Sequence, residues 1–184
     1  MNTVFADTVY FLALLNPVDQ WHVRARELSR KPPGPLLTTE FVLMEVGDGL
    51  SHPDNRGRFA RLLELLRARA DVAIIPSSGE LFHHGCELHA RRLDKEWSLT
   101  DCTSFVVMRE RGVEQALTSD HHFAQAGFGL SFINVDPATI GNVKRRFYRR
   151  TVGSDRKQSI CVRSGAMARE KETIPGMKKF ECGS

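Results

Sequence analysis

Apolar positions along this chain alternate between short runs and helical spacing. Residues 3–7 (TVFAD) read as a short buried strand, and Tyr10, Phe11, Leu14 and Leu15 follow at helical spacing until Asn16-Pro17. Asp19 stands where it would cap a second helix running to about Ser29. Lys31-Pro32-Pro33-Gly34-Pro35 is a turn, and Leu36 and Leu37 make a short strand. Thr38 or Thr39 then caps a helix carrying Val42, Glu45, Val46 and Gly49. His52-Pro53-Asp54 breaks that helix and starts the next, whose Phe59, Leu62, Leu63 and Leu66 form one stripe. Residues 71–75 read as a strand. Ser77 or Ser78 caps a helix to about Arg92, and Ser98 opens another with Cys102, Phe105 and Val106 on one face. Residues 116–119 and 130–135 read as strands.

Strands alternating with helical segments of crossover length predict an α/β fold with a mostly parallel sheet. In such sheets ligands bind beyond the carboxyl ends of the strands. Asp7 and Asp120 both fall at strand ends, and Asp101 falls in the first turn of a helix. After about Gly141 the pattern stops: KRRFYRR, SDRKQ and MAREKE sustain no period. Residues 1–140 are therefore expected to form one domain, and 141–184 a weakly structured tail.

Length and charge refine this division. The 184 residues suffice for one self-sufficient core. The formal net charge of +4 conceals an asymmetry: residues 1–140 carry 14 Lys+Arg against 18 Asp+Glu, and residues 141–184 carry 12 against 4. An acidic body with a basic tail is unlike a uniformly basic nucleic-acid binder. No long uncharged apolar run predicts a membrane span. The start of the chain lacks a basic region followed by a cleavage site, so no signal peptide is expected. Cys86, Cys102, Cys161 and Cys182 form no CxxC pair, and reduced thiols in the cytoplasm are the expectation.

Four acids stand out: Asp7 in TVFADT, Glu45 in TTEFVLMEV, Asp101 in WSLTDCTSF and Asp120 in ALTSDHHF. Each has a plain structural reading. Asp7 and Asp120 could cap the helices that follow them. Asp101 stands three residues after Ser98, the spacing of a capping box. It also aligns with Phe105 and Met108, which turns it inward. Glu45 shares the inward stripe of its helix, where a carboxylate needs a partner, a proton or a metal. Glu40, in the first turn, simply complements the helix dipole. Clustered acids repel phosphate but bind a hard divalent cation through oxygen, which points to metal-dependent phosphodiester chemistry.

Other candidates are less specific. His83, His84, Cys86 and His89 in HHGCELH drift around a helix and lack a second ligand pair for zinc. His121 and His122 follow Asp120, where they could touch substrate, but read first as exposed loop histidines. Arg56, Arg58, Arg61, Arg67 and Arg69 line the outer face of one helix, normally a solvated face, though one able to meet phosphate.

FADTVYFLALLNPVDQWHVRA, TTEFVLMEVGDGL, SLTDCTSFVVMRERGV and ALTSDHHFAQAGF resemble, in order and spacing over about residues 1–137, the successive motifs of PIN-domain proteins. More narrowly they resemble the VapC-type toxin ribonucleases. The resemblance implies a three-layer α/β/α domain with a parallel sheet of four or five strands. It implies Mg2+ or Mn2+ held by Asp7, Glu45, Asp101 and Asp120, and cleavage of RNA. It also implies a small antitoxin partner and a homodimer. Thr8 and Thr118 are candidate hydroxyl partners behind the acids. Compact members of the family stop near residue 141, so the tail departs from the pattern.

Two rivals differ in class. A non-catalytic PIN-fold module for RNA or protein binding is suggested by Lys144, Arg145, Arg146, Arg149 and Arg150 interleaved with Phe147 and Tyr148. A phosphatase using Asp7 as nucleophile is disfavoured, because Val9 stands where a DxD pair needs its second acid.

Overall fold

A computed structural model describes residues 2–130 and Phe132. Residues beyond these, including the expected tail and the expected strand after Leu130, lie outside the description. The order is β1 (Val4–Ala6), α1 (Thr8–Leu15), α2 (His22–Arg30), β2 (Leu36–Thr39), α3 (Glu40–Gly49) and α4 (Pro53–Arg67). There follow β3 (Val72–Ile75), α5 (Gly79–Arg91), α6 (Leu99–Glu110), β4 (Gln115–Leu117), α7 (His121–Gln125) and β5 (Gly129–Leu130). The five strands form one sheet in the order β3-β2-β1-β4-β5, and every pairing is parallel. Helices cover this sheet in the three-layer arrangement expected.

Local chemistry accounts for most boundaries. Thr39 caps α3 by accepting from Val42 N–H, and Ser78 caps α5 by accepting from Leu81 N–H. Pro53 takes the first turn of α4, where its missing N–H costs nothing. Ser98 and Asp101 form the capping box of α6 in both directions. One expectation fails: Asp19 does not cap α2. Its Oδ1 accepts from Trp21 N–H at 2.8 Å, and Trp21 occupies the N-cap without a side-chain bond. The carboxylate closes a turn one step before the helix, a use Asp makes as readily as capping. β4 also ends sooner than expected, so Thr118 and Ser119 lie past its end.

The core is contiguous under β1, β2 and β4 and includes Phe5, Phe11, Val42, Val46, Phe105, Met108, Leu117 and Phe123, each under 2% exposed. An aromatic group knits the last helices to the sheet. Phe105 of α6 meets Trp97 and Phe123 edge-on, both at 4.9 Å between ring centroids. Phe123 of α7 lies 6.0 Å from Phe5 of β1. These contacts hold the start of α6 and the start of α7 against the middle of the sheet. No helix among the described residues is long and apolar enough to cross a membrane.

Helices α5 and α6 pack closely at Gly85. A Cβ built there would lie 2.5 Å from Cγ2 of Thr103. Thr103 is fully buried, and its hydroxyl donates to the Thr100 carbonyl at 3.0 Å, so rotating the methyl away would break that bond. Gly85→Ala gains about 1 kcal/mol of helix propensity, whereas overpacking costs about 1–3 kcal/mol, so a net loss of about 1 kcal/mol is expected in urea unfolding. In a Thr103→Ser background the methyl is gone, and the same change should be neutral or stabilising. Equal destabilisation in both backgrounds would show that this contact does not set the helix spacing.

Candidate active site

The direction of travel across the sheet reverses at β1. The chain moves from β1 outward to β2 and β3, then returns to place β4 on β1's other side. Such a switch point leaves a crevice beyond the carboxyl ends of the two central strands. The register pairs Ala6 with Leu117, so Asp7 and Thr118 are the next residues out on neighbouring strands. Asp7 N–H still donates to the Leu117 carbonyl, at 3.4 Å.

Short polar links tie the four acids to neighbouring residues around this crevice. Thr118 Oγ1 donates to Asp7 Oδ2 at 2.8 Å and accepts from Asp120 N–H at 3.0 Å. One buried hydroxyl therefore ties two acids 113 positions apart in sequence. Thr8 Oγ1, next along from Asp7, donates to Glu45 Oε2 at 2.7 Å. Asp101 Oδ2 accepts from Ser98 N–H at 2.7 Å and lies 3.3 Å from His122 Nδ1. That same nitrogen is 3.5 Å from Asp120 Oδ1. Asp7, Asp101 and Asp120 are 3–4% exposed, and Glu45 is half-buried.

The capping readings divide. Asp7 sits at the N-cap of α1 but makes no capping bond with its side chain; its carboxylate turns to Thr118. Asp101 and Asp120 do both jobs. Asp101 completes the capping box and faces His122, while Asp120 Oδ1 accepts from His122 N–H at 3.0 Å. Glu40 stays apart from this group. Its Oε2 accepts from the N–H and hydroxyl of Ser77, both at 2.8 Å, and these bonds hold its carboxyl below the usual value.

His122 corrects the sequence reading. It is 6% exposed rather than a loop residue in solvent, whereas His121 is partly exposed. Nothing periodic marks His122. Its burial follows from Phe123, which anchors α7 in the aromatic core. The HHGCELH residues do not converge among the described residues: His83 faces Glu87 and His84 faces Glu110 on the surface. Arg56, Arg58, Arg61 and Arg69 are engaged locally. Arg56 and Arg58 donate to the carbonyls of Ser51 and Leu15, and Arg61 and Arg69 pair with Glu64 and Asp71.

Buried carboxylates gathered at one sheet edge, with hydroxyls behind them, form a hard oxygen donor set. Its chemistry fits a hard divalent cation. Asp120, His121 and His122 also bring one ligand atom each within 4.8 Å of one another.

Comparisons with known proteins identify the family. The PIN domain model matches residues 4–129. The 23S rRNA-specific endonuclease VapC20 of Mycobacterium tuberculosis is 31% identical over 125 residues, 68% of this chain and 95% of that protein. The crystal structure of VapC20, described as a sarcin-ricin loop cleaving toxin, superposes with a TM-score of 0.62 at 30% identity, covering 73% of this chain and 99% of that one. VapBC2 from Rickettsia felis, solved with a fragment of its promoter DNA, shares the fold alone. Its TM-score is 0.52 at 16% identity, covering 70% of this chain and 97% of that one. The chain therefore belongs to the PIN-domain family, in its VapC-type endonuclease branch.

Proposed function

We propose that this chain is a divalent-metal-dependent endoribonuclease, the toxin of a toxin–antitoxin pair, with Asp7, Glu45, Asp101 and Asp120 as its metal ligands. The observation that carries the reading is the convergence of these acids through Thr118, Thr8 and His122 at one crevice. Mg2+ or Mn2+ bound there would lower the pKa of a water and stabilise charge on the phosphate. The chain's own contribution is orientation. Thr118 holds Asp7 against Asp120, Thr8 holds Glu45, and the α6 capping box holds Asp101. VapC20 is named for 23S rRNA and for the sarcin-ricin loop; a structured RNA loop is the substrate class proposed for this chain.

The partner proposed is a small antitoxin protein, together with a homodimer. Exposed Met44 on α3 and Phe82 on α5, the latter stacked on Phe41, offer apolar surface of the kind partners cover. A cytoplasmic setting suits Cys86 and Cys102, which are both free thiols. Burial pushes the Cys102 thiol up to about 11, so it stays protonated and unreactive. Residues 1–140 are proposed to hold the fold and the chemistry, and 141–184 to add at most electrostatic RNA affinity.

Asp101→Asn tests the ligand set. The amide oxygen can still accept from Ser98 N–H, so α6 should form normally. Mg2+-stimulated cleavage of total RNA should fall by more than the roughly 10–100-fold typical of losing an outer partner of a metal ligand. Wild-type rates in a contaminant-free assay, with EDTA as control, would remove Asp101 from the site. Binding of RNA by the wild type without turnover would favour the non-catalytic alternative.

Thr118→Val keeps the shape but loses both hydroxyl bonds. It should cost about 1–3 kcal/mol of stability, since it strips partners from buried polar groups. Mg2+ affinity should drop by roughly 10–100-fold, as measured by calorimetry. Unchanged metal affinity would show that Thr118 only braces the fold.

Deleting residues 142–184 should leave the domain folded and metal-dependent cleavage intact at saturating RNA. Any affinity lost should shrink as salt rises, because the basic run acts through phosphate contacts. An unfolded truncation would show that the boundary is wrong.

A further inference from the structure

His122 is buried in the proposed metal site, yet the ligand set gives it no role. It offers two donors in two directions. Its backbone N–H reaches Asp120 Oδ1 at 3.0 Å. Its ring Nδ1 lies 3.3 Å from Asp101 Oδ2 and 3.5 Å from Asp120 Oδ1. Both neighbours of Nδ1 are carboxylate oxygens, which accept hydrogen bonds when ionised. The tautomer with its hydrogen on Nδ1 donates to Asp101 and leaves the ring's lone pair on Nε2. Asp101 Oδ2 receives a second donor, Ser98 N–H, at 2.7 Å. That oxygen is held from one side by α6 and from the other by α7.

The ring itself is held in place. Phe123, the next residue, is fully buried against Phe5 and Phe105. His121 packs its ring 4.3 Å from that of His122. A clamp needs this rigidity, because a mobile ring could not keep Asp101 in one orientation.

We propose that His122 is a positioning residue, holding Asp101 through its ring Nδ1–H and Asp120 through its backbone N–H, and that it acts on the ion through these carboxylates. The proposal rests on the metal-dependent reading above. It competes with direct nitrogen ligation, which the proximity of Asp120, His121 and His122 would otherwise suggest.

Mn2+ binding to the full chain, followed by electron paramagnetic resonance, tests it without any cleavage assay. His122→Phe keeps a ring but removes the donor, whereas His122→Asn puts an amide N–H near the place of Nδ1. The phenylalanine variant should bind Mn2+ roughly 10- to 100-fold more weakly, the range for losing an outer partner of a ligand. Its circular dichroism should match wild type, and the asparagine variant should recover most of the loss. Pulsed measurements on wild-type protein should detect no directly bound nitrogen, a readout that does not depend on any variant folding. Wild-type affinity in His122→Phe, no recovery in His122→Asn, or strong nitrogen coupling in the wild type would each overturn the clamp. A wild type that binds no Mn2+ would instead remove the metal-dependent reading, and the clamp with it.

Discussion

The parallel pairing of β1 with β4 is the constraint on which the site depends. Their register, Val4 with Gln115 through Ala6 with Leu117, makes Asp7 and Thr118 neighbours just past the sheet's end. Antiparallel strands would have sent these residues to opposite ends. Parallel strands bring every carboxyl end to one edge, and the reversal at β1 opens a crevice there. One hydroxyl then joins Asp7 to Asp120. A residue-length slip of β4 would turn Thr118 to the other face of the sheet and separate the two halves of the site.

Gathering acids in a buried place is costly unless the charges are compensated. The structure compensates them through element ends. Asp7, Asp101 and Asp120 stand at or within the first turn of α1, α6 and α7, where helix dipoles and backbone N–H groups favour negative charge. Capping and metal binding are thus not rival explanations for Asp101 and Asp120. The bonds that start each helix are the same ones that orient the carboxylates. Glu45 is reached differently, from mid-helix on α3, and it takes a hydroxyl from Thr8 instead.

Rigidity behind the crevice comes from aromatic packing. Trp97, Phe105 and Phe123 meet edge-on, a geometry that suits ring quadrupoles. This cluster sits directly beneath the first turns of α6 and α7. It holds Asp101 and His122 within helices and Asp120 at the N-cap of α7. The close approach of α5 to α6 at Gly85 braces α6 from its other side.

The sequence by itself determined the alternation of elements and most of their caps, and it singled out the four acids. Each is a local matter: Ser98 and Asp101 find each other within one turn, and helical spacing shows whether Glu45 faces inward. The family motifs are likewise read in order along the chain. Asp19 marks the limit of local reading, because a carboxylate before a helix can close a turn as easily as cap. What only the tertiary structure decided are the links between distant residues. Thr118 with Asp7, Thr8 with Glu45 and His122 with Asp101 are contacts over 111, 37 and 21 positions. His122 looked exposed because nothing within one helical turn reveals what covers it. Its burial depends on Phe123 reaching Phe5 and Phe105, and only the folded packing of α7 against α6 and β1 supplies those neighbours.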